Sequence, residues 1–478
     1  MPAYLSGFGN HHASEALPGA LPEGQNSPQT CPYGLYAEQL SGTPFTAPRT
    51  QNRRSWLYRI RPTLSHWGAF QKVETGDWRS APAREVEVPP QPLRWNPLPL
   101  PDGEVAFPQG VHTLTTCGDA GAGHGMAASV YALTRSMHDA YFYNADAEML
   151  FVPQQGDLCF HTEMGLIEAE PAEIVVIPRG VKFRLEIDGP VRGYLCENYG
   201  APFQLPERGP IGANGLANER DFLYPQAAFE DREAPSKMYV KWGGDLWATD
   251  LAHSPLDVVA WHGNHAPYRY DLRRFCPMGP ILFDHADPSI FTVLTSPSEV
   301  PGTANIDLVI FPDRWLVAEH SFRPPWYHMN IMSEFMGLIH GQYDAKPNGF
   351  APGAASLHNR LIPHGPDAEV FAAANHTDLK PQKLEGTLAF MLETRLPQQV
   401  TRWAWKSSMR QVEYGLYGQK LEPHFLSPLP EGEGSAKTIG FEQGEGEMFQ
   451  SEPPAGSSPS PGLDRPPSPS GRGKGRAT

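Results

Sequence analysis

Hydrophobic runs of strand length recur between Ala127 and Asn198. Examples are SVYALTRS, EMLFVPQQG, LCFHTEMG and EIVVIPRG, and each run ends near Gly, Pro or Asp. These residues favour turns, and several short strands at close, regular spacing are typical of an antiparallel sandwich or barrel. Residues 255–300 return to the same pattern. We therefore expect a mostly β fold with few short helices.

The segment from Ile177 to Ile187 refines this prediction. Its turn IPRG is followed by the alternating strand VKFRLEI, which resembles the second motif of a cupin jelly roll. Cupins usually carry a histidine a few residues beyond that glycine, whereas this chain has Lys182, Phe183 and Arg184. We expect a cupin-like half that has lost its metal, with a structural role for the surrounding strands.

Four further segments carry local signals. Ser55–Ile60 is predicted to be a strand, and residues 202–250 are predicted to link two regions through one or two short helices. A helix is predicted at Pro366–Asn375, because PDAEVFAAAN begins with Pro and acidic residues, as helix N-termini often do. Residues 427–478 are rich in Pro, Gly, Ser and Glu, which predicts a disordered tail.

Composition narrows the class of partner. The 51 prolines and 46 glycines favour short strands joined by turns over long helices. A formal charge of −15 argues against nucleic acid as the main partner, because phosphate neutralisation needs clustered Lys and Arg. A small anionic substrate stays compatible, since it responds to local charge.

The lack of a recognisable targeting signal and the pattern of cysteines both lead us to expect a cytoplasmic protein. The N-terminus has no basic region followed by an apolar core, and no stretch is apolar enough for a membrane span. The five cysteines are scattered and form no CxxC pair. We expect reduced thiols and neither a membrane partner nor a zinc–thiolate site.

The candidate chemistry lies in the final half of the chain. Ten of the eighteen histidines fall between His253 and His376. Within HMNIMSE, His328 and Glu334 are six residues apart and would share one face of a continuous strand. An imidazole and a carboxylate are two-thirds of a facial triad, which leaves coordination positions open for substrate and O₂. The third ligand would be His364, with His358 as its rival.

Five segments then carry a resemblance over about residues 4–425. GFGNHHASEA, CPYGLYAEQLSGTPFTAPR, FDHADPSIFTVLT, RPPWYHMNIMSEFMGLIHGQYDAK and SLHNRLIPHGPDAEVF occur in this order. Their sequence and spacing resemble the homogentisate 1,2-dioxygenase family. The resemblance implies that Fe(II) is the cofactor and that His328, Glu334 and His364 bind it.

The resemblance also implies roles around the iron. His285 matches the family's catalytic acid/base, Tyr343 matches a substrate-contacting residue, and His364 also matches a position near the substrate. We further predict that His358 and His340 orient the metal ligands or line the pocket.

The family further implies an architecture and an activity. The expected architecture is an N-terminal β-sandwich domain over 1–280, which contains the degenerate cupin-like half, and a smaller cupin-like domain over 281–426. The expected assembly is a homohexamer, a dimer of trimers. The expected reaction is Fe(II)- and O₂-dependent cleavage of homogentisate to 4-maleylacetoacetate, in tyrosine and phenylalanine catabolism. The alternatives are a related gentisate-type ring-cleaving dioxygenase and a metal-free cupin used for binding or storage.

Overall fold

Short strands are the main regular secondary structure of the computed structural model, which describes residues 2–207, 209, 216–279, 281–343 and 349–424. Within these residues the strands, in chain order, are β1 Tyr4–Ser6, β2 His12–Glu15, β3 Tyr36–Ser41, β4 Arg54–Arg59, β5 Gln71–Val73, β6 Leu93–Trp95, β7 Val111–Asp119, β8 His124–Leu133, β9 Ala140–Asn144, β10 Glu148–Gln155, β11 Leu158–Thr162, β12 Gly165–Ala169, β13 Glu173–Ile177, β14 Phe183–Ile187, β15 Val191–Asn198, β16 Phe222–Pro225, β17 Ser236–Trp242, β18 Asp245–Leu251, β19 Val258–Gly263, β20 Tyr268–Asp271, β21 Thr292–Pro297, β22 Ala304–Phe311, β23 Arg314–Leu316, β24 Ser333–His340, β25 Ala355–His358, β26 Gln382–Leu384, β27 Leu388–Thr394 and β28 Gln399–Val400.

Helices are short in the described part of the chain. The α-helices are α1 Ala368–His376 and α2 Arg402–Lys406, and 3-10 helices occupy Pro32–Gly34, Thr63–His66, Glu219–Asp221, Leu272–Arg274, Pro288–Phe291 and Val412–Lys420. None of the helices that the described residues form has the length and apolar character of a transmembrane span.

Two large sheets account for most strands of the first 272 residues. Among the described residues, one sheet has the order β1-β16-β20-β13-β10-β15-β8-β7-β28 and the other has the order β12-β11-β14-β9-β17-β18-β5. Their inner faces meet in a core of aromatic rings that includes Phe107, Phe142, Phe151, Phe160 and Phe183. The mostly β prediction is confirmed.

A third sheet, with the order β21-β22-β27-β24-β25-β6, carries the C-terminal region. Its strand β6 comes from the N-terminal region, and β28 returns to the nine-stranded sheet. Tyr194 joins the two sheets, because its ring packs on Phe390 and its hydroxyl donates to the carbonyls of Leu338 and Ala354. Residues 1–422 form one compact unit, and the proposed boundary at residue 280 stays a prediction.

Several local predictions have clear outcomes. The strand predicted at Ser55–Ile60 is confirmed as β4, and the strand after Gly180 is confirmed as β14. The predicted helix is confirmed as α1, which begins two residues later than expected because Asp367 is its N-cap and accepts from Val370 N at 2.9 Å. The predicted tail, 427–478, lies outside the described residues.

The prediction of a linking region over 202–250 is wrong for its second half. Residues 236–251 form the hairpin β17–β18, with Trp242 opposite Asp245 in the register. Gly243 and Gly244 both have positive φ, at 63° and 81°, which a tight two-residue hairpin turn requires. A signal was present in part, since buried and partly buried residues alternate over residues 236–240 of β17 and 245–248 of β18.

The prediction of a continuous strand through His328 and Glu334 is also wrong. The strand β24 begins at Ser333, so only Glu334 lies on it. The side-chain oxygen of Asn330 accepts from Met332 N at 3.0 Å. Such local bonds from Asn to the backbone stabilise turns and compete with extended structure. His328 therefore belongs to the loop before β24.

Candidate metal centre and its cavity

Three predicted side chains converge at one point, although His328 does not lie on the same strand as Glu334. Potential ligand atoms of His328, Glu334 and His364 all lie within 4.8 Å of one another. His364 Nε2 lies 3.1 Å from one carboxylate oxygen of Glu334, and His328 Nε2 lies 3.8 Å from the other. The two imidazole rings are 4.1 Å apart between centroids.

Backbone pairing brings the two histidines together. His328 and His364 form an isolated antiparallel bridge, in which His328 N donates to His364 O at 2.9 Å and His364 N donates to His328 O at 3.0 Å. The two loops are thus held in register next to the start of β24. This pairing replaces the strand that was expected to align His328 with Glu334.

The histidine tautomers suit a divalent metal. His328 Nδ1 lies 2.8 Å from the carbonyl oxygen of Trp326, and His364 Nδ1 lies 2.9 Å from that of Ile362. A carbonyl only accepts, so each Nδ1 carries the proton and each Nε2 keeps its lone pair for a ligand. Two imidazole nitrogens and one carboxylate are the donor set of non-haem Fe(II) sites. The residues present fit Fe(II).

The charge of Glu334 is maintained despite its burial. Burial raises the pKa of this carboxyl, but the contacts of its two oxygens with the imidazoles of His328 and His364 outweigh that effect, so the net pKa is well below its usual range. Asn330 Nδ2 also donates to Glu334 at 3.1 Å and to Glu393 at 2.5 Å. Burial and the neighbouring charge of Glu334 raise the pKa of Glu393 to about 7.

These side chains open into a cavity of about 390 Å³. One face of the six-stranded sheet forms its floor, and the strand registers arrange that face as two rows. The first row crosses β27, β24 and β25 with Glu393, Glu334 and His358, and the second crosses β27, β24, β25 and β6 with Met391, Met336, Ser356 and Arg94.

Three of the other predicted residues border the cavity, and one does not. His285 and Tyr343 line its wall. His358 is buried on β25 and stacks on His364, with ring centroids 4.3 Å apart and planes 7° apart. His340 is exposed at the far end of β24 and is not among the described residues that line the cavity. The structure therefore separates His340 from the cluster.

Aromatic rings continue around the cavity from these residues. His285 packs edge-on to Trp326, whose ring contacts His328. Elsewhere in the lining, Tyr343 packs edge-on to Phe311 and Phe350. A cavity that combines flat aromatic rings with a cluster of polar groups suits an aromatic ligand that carries polar substituents.

A second group of potential ligands, Cys159, His161 and Glu186, lies on β11 and β14. Arg184 Nη2 contacts His161 Nδ1 at 3.0 Å, and Glu186 contacts His161 Nε2 at 2.8 Å. Both imidazole nitrogens are thus engaged, and a guanidinium lies where a cation would bind. Burial raises the pKa of the Cys159 thiol to about 11. This group is an ion-pair network.

Comparison with known proteins assigns the family. The family model for the N-terminal region of homogentisate 1,2-dioxygenase matches residues 3–272, and the model for the C-terminal region matches residues 273–425. The chain belongs to the homogentisate 1,2-dioxygenase family.

Individual relatives of this family are similar along nearly the whole chain. The homogentisate 1,2-dioxygenase of Nitrobacter hamburgensis is 66% identical over 90% of this chain and 96% of its own length. That of Rhodopseudomonas palustris strain TIE-1 is 65% identical over 89% and 95%. Among solved structures, salicylate 1,2-dioxygenase from Pseudaminobacter salicylatoxidans covers 57% of this chain and 74% of its own at 6% identity, with a TM-score of 0.25. That likeness is too weak to carry an argument.

In this member of the homogentisate 1,2-dioxygenase family, sequence reasoning missed three residues at the site. Asn330 bridges two carboxylates, Arg94 lies in the cavity wall, and Tyr414 places its hydroxyl 3.0 Å from His358 Nε2. Asn330 stands inside HMNIMSE and could have been weighed as a turn residue. Arg94 and Tyr414 lie far away in the chain, and no local pattern links them to the site.

Proposed function

We propose that this chain binds Fe(II) through His328, Glu334 and His364 and opens the ring of homogentisate with O₂ to give 4-maleylacetoacetate. Membership of the homogentisate 1,2-dioxygenase family supports the reaction. The convergence of two Nε2 atoms and one carboxylate at the edge of an aromatic-lined cavity is the observation that carries it.

The protein's own contribution begins with the ligands. When bound, Fe(II) supplies the one-electron chemistry that lets triplet O₂ react with a closed-shell aromatic ring. The carbonyls of Trp326 and Ile362 hold the two imidazoles in the ligating tautomer. The residues of the cavity exclude bulk water from the ring and restrict its orientation.

His285 is the proposed proton acceptor. Its Nδ1 lies 2.7 Å from the carbonyl oxygen of Ala286, so Nδ1 carries the proton and Nε2 is the basic atom. A neutral imidazole in the cavity wall can accept a proton from a phenol hydroxyl near neutral pH. The phenolate is a better electron donor than the phenol, so this transfer prepares the ring for oxidation.

Tyr343, which lines the same cavity, is the proposed substrate contact. Its ring is held edge-on between Phe311 and Phe350. Two such contacts fix the plane of the phenol, and a fixed hydroxyl orients a bound substrate at little entropic cost.

The deciding experiment is anaerobic purification with ferrous iron followed by an oxygen-electrode assay with homogentisate. The wild type should contain iron and consume O₂, whereas His328→Ala and Glu334→Ala should lose both. His340→Ala is the matched control, because this exposed histidine lies outside the cluster, and it should keep iron and activity. Full activity in either ligand variant would refute the site. Turnover of gentisate instead of homogentisate would favour the related dioxygenase, and a protein without iron or O₂ uptake would favour a binding role.

We also propose a cytoplasmic homohexamer, a dimer of trimers, that acts in tyrosine and phenylalanine catabolism. The assembly and the pathway rest on the family resemblance, and the compartment rests on the scattered cysteines, which favour a reducing environment. Light scattering coupled to size-exclusion chromatography tests the hexamer, and a monomeric mass would contradict it.

A further inference from the structure

A buried arginine forms part of the cavity floor at some distance from the metal ligands. Arg94 lies on β6 and is 4% exposed, yet its side chain lines the cavity. Its guanidinium lies over the ring of Tyr414 at 4.0 Å and over that of Phe350 at 5.2 Å.

The sheet sets the distance between this cation and the metal ligands. Arg94 pairs with Ser356 on β25, and Ser356 in turn pairs with Met336 on β24, two residues after Glu334. Arg94 is therefore two strand spacings of about 4.8 Å each from the strand of Glu334. A benzene ring lying on Met336 and Ser356 would have the row of Glu334 and His358 along one edge and Arg94 next to another.

The backbone on both sides of Arg94 is fixed. Its carbonyl accepts from Gln411 N at 2.9 Å, and the neighbouring Trp95 forms a bridge to Arg410. Stacking on two rings further limits the rotation of the side chain. A pre-positioned planar guanidinium is well suited to recognise a carboxylate with two parallel hydrogen bonds.

We propose that Arg94 binds the carboxylate of the substrate and selects dihydroxybenzenes that carry an acid arm over uncharged hydroquinones. This inference rests on the proposed function, since it takes the carboxylate of homogentisate as the ligand. Under this proposal, a residue of β6, which belongs to the N-terminal region, determines the substrate selectivity of a metal centre whose ligands come from the C-terminal region.

A second arginine of the cavity wall provides a matched control. Arg314 lies on β23, outside the six-stranded sheet, where its guanidinium lies over Phe291 at 5.7 Å and donates to the Pro312 carbonyl at 3.2 Å. It has the same charge and lines the same cavity. If general positive charge attracted the substrate, the two arginines would contribute alike.

The test measures binding without turnover. Under anaerobic conditions, iron-loaded wild type, Arg94→Gln, Arg94→Lys and Arg314→Gln are titrated with homogentisate and with 2-methylhydroquinone, in which a methyl group replaces the acid arm. Arg94→Gln should weaken homogentisate binding by on the order of 100-fold and leave 2-methylhydroquinone binding unchanged. Arg94→Lys keeps the charge but loses the planar fork, so about a tenfold loss is expected. Arg314→Gln should keep the wild-type ratio between the two compounds.

The outcomes separate this inference from the proposed function. If wild type consumes O₂ with homogentisate but Arg94→Gln keeps the wild-type ratio, the role of Arg94 is refuted and the proposed function stands. If wild type neither binds nor oxidises homogentisate, both fall. Should Arg94→Gln fail to fold, as judged by its iron content and melting temperature, Arg94→Lys decides, and an unchanged ratio in that variant refutes the proposal.

Discussion

Among single side chains, Asn330 connects the local backbone to the candidate metal site. Its side-chain oxygen shapes the turn before β24, and its amide nitrogen reaches the carboxylates of both Glu334 and Glu393. An amide between two carboxylates donates one hydrogen bond to each. Asn330 therefore orients a proposed ligand and links two acidic groups of adjacent strands.

Replacing Asn330 with alanine should lower the affinity for Fe(II) by about 10- to 100-fold, because residues that hydrogen-bond a metal ligand set its orientation. Titration of the iron-free protein with Fe(II) measures this change. Asn375→Ala is the control, since that exposed amide bonds only to the Phe371 carbonyl of its own helix among the contacts described. Equal iron affinities for the two variants would contradict a positioning role.

His285→Ala should separate proton transfer from iron binding. His285 lines the cavity but is not one of the three clustered ligands. The variant should retain the iron content of wild type and lose at least about 100-fold in kcat, the usual contribution of a general base. Metal analysis and oxygen-electrode kinetics together test this, and an unchanged kcat would remove the proposed role.

Among the elements, the 3-10 helix Val412–Lys420 packs against the candidate site through two tyrosines. Tyr414 is buried and contacts His358, while the Tyr417 hydroxyl accepts from Gly365 N at 3.2 Å, next to His364. His358 in turn stacks on His364. The helix thus supports both the stacked imidazole and the loop that carries a proposed ligand.

Tyr414→Phe should lower the free energy of unfolding by about 1–3 kcal/mol, because it takes a buried hydrogen-bond partner from His358. It should also weaken Fe(II) binding severalfold through His364. Denaturant unfolding and iron titration measure the two effects. In Tyr33→Phe, which removes an exposed hydroxyl bonded to the Pro18 carbonyl, both quantities should stay near wild type. A loss of stability with unchanged iron affinity would limit Tyr414 to a packing role.

Considered over the entire fold, buried histidines make stability depend on pH. Burial lowers the pKa of His265 to about 4 and that of His66 to about 2. Each ordinarily titrates near 6.5, so the unfolded chain binds a proton that the folded chain excludes between the two values. Stability from these groups is complete above pH 6.5 and decreases as the pH falls toward the folded pKa.

The contribution of His265 can be isolated by substitution. The difference in unfolding free energy between wild type and His265→Asn should be constant above pH 7. As the pH falls from 6.5 to 4, the unfolding free energy of wild type should decrease by about 3 kcal/mol relative to that of His265→Asn. The slope is about 1.4 kcal/mol per pH unit. Denaturant titrations of both proteins at several pH values give this difference. A pH-independent difference would show that His265 keeps an ordinary pKa.

Local patterns predicted the secondary structure well where the period was clear. The strands β4 and β14 and the helix α1 were identified from residue alternation, turn residues and a helix start signal. The hairpin β17–β18 was missed although its alternation was present in part, because charged residues interrupt its apolar positions. The strand expected at 328–334 failed because the Asn330 side chain bonds to the backbone and ends the extended run.

The amino-acid sequence was sufficient for the β class, because turn chemistry and periodicity are properties of neighbouring residues. Its resemblance to known segments was sufficient for the family and for grouping His328, Glu334 and His364 as the proposed ligands. The sequence did not reveal how these three meet, since His328 reaches Glu334 through a bridge to His364 and not along a strand. It also did not reveal Arg94 and Tyr414. Their places at the cavity depend on strand register and long-range packing, which bring together segments that no local pattern relates.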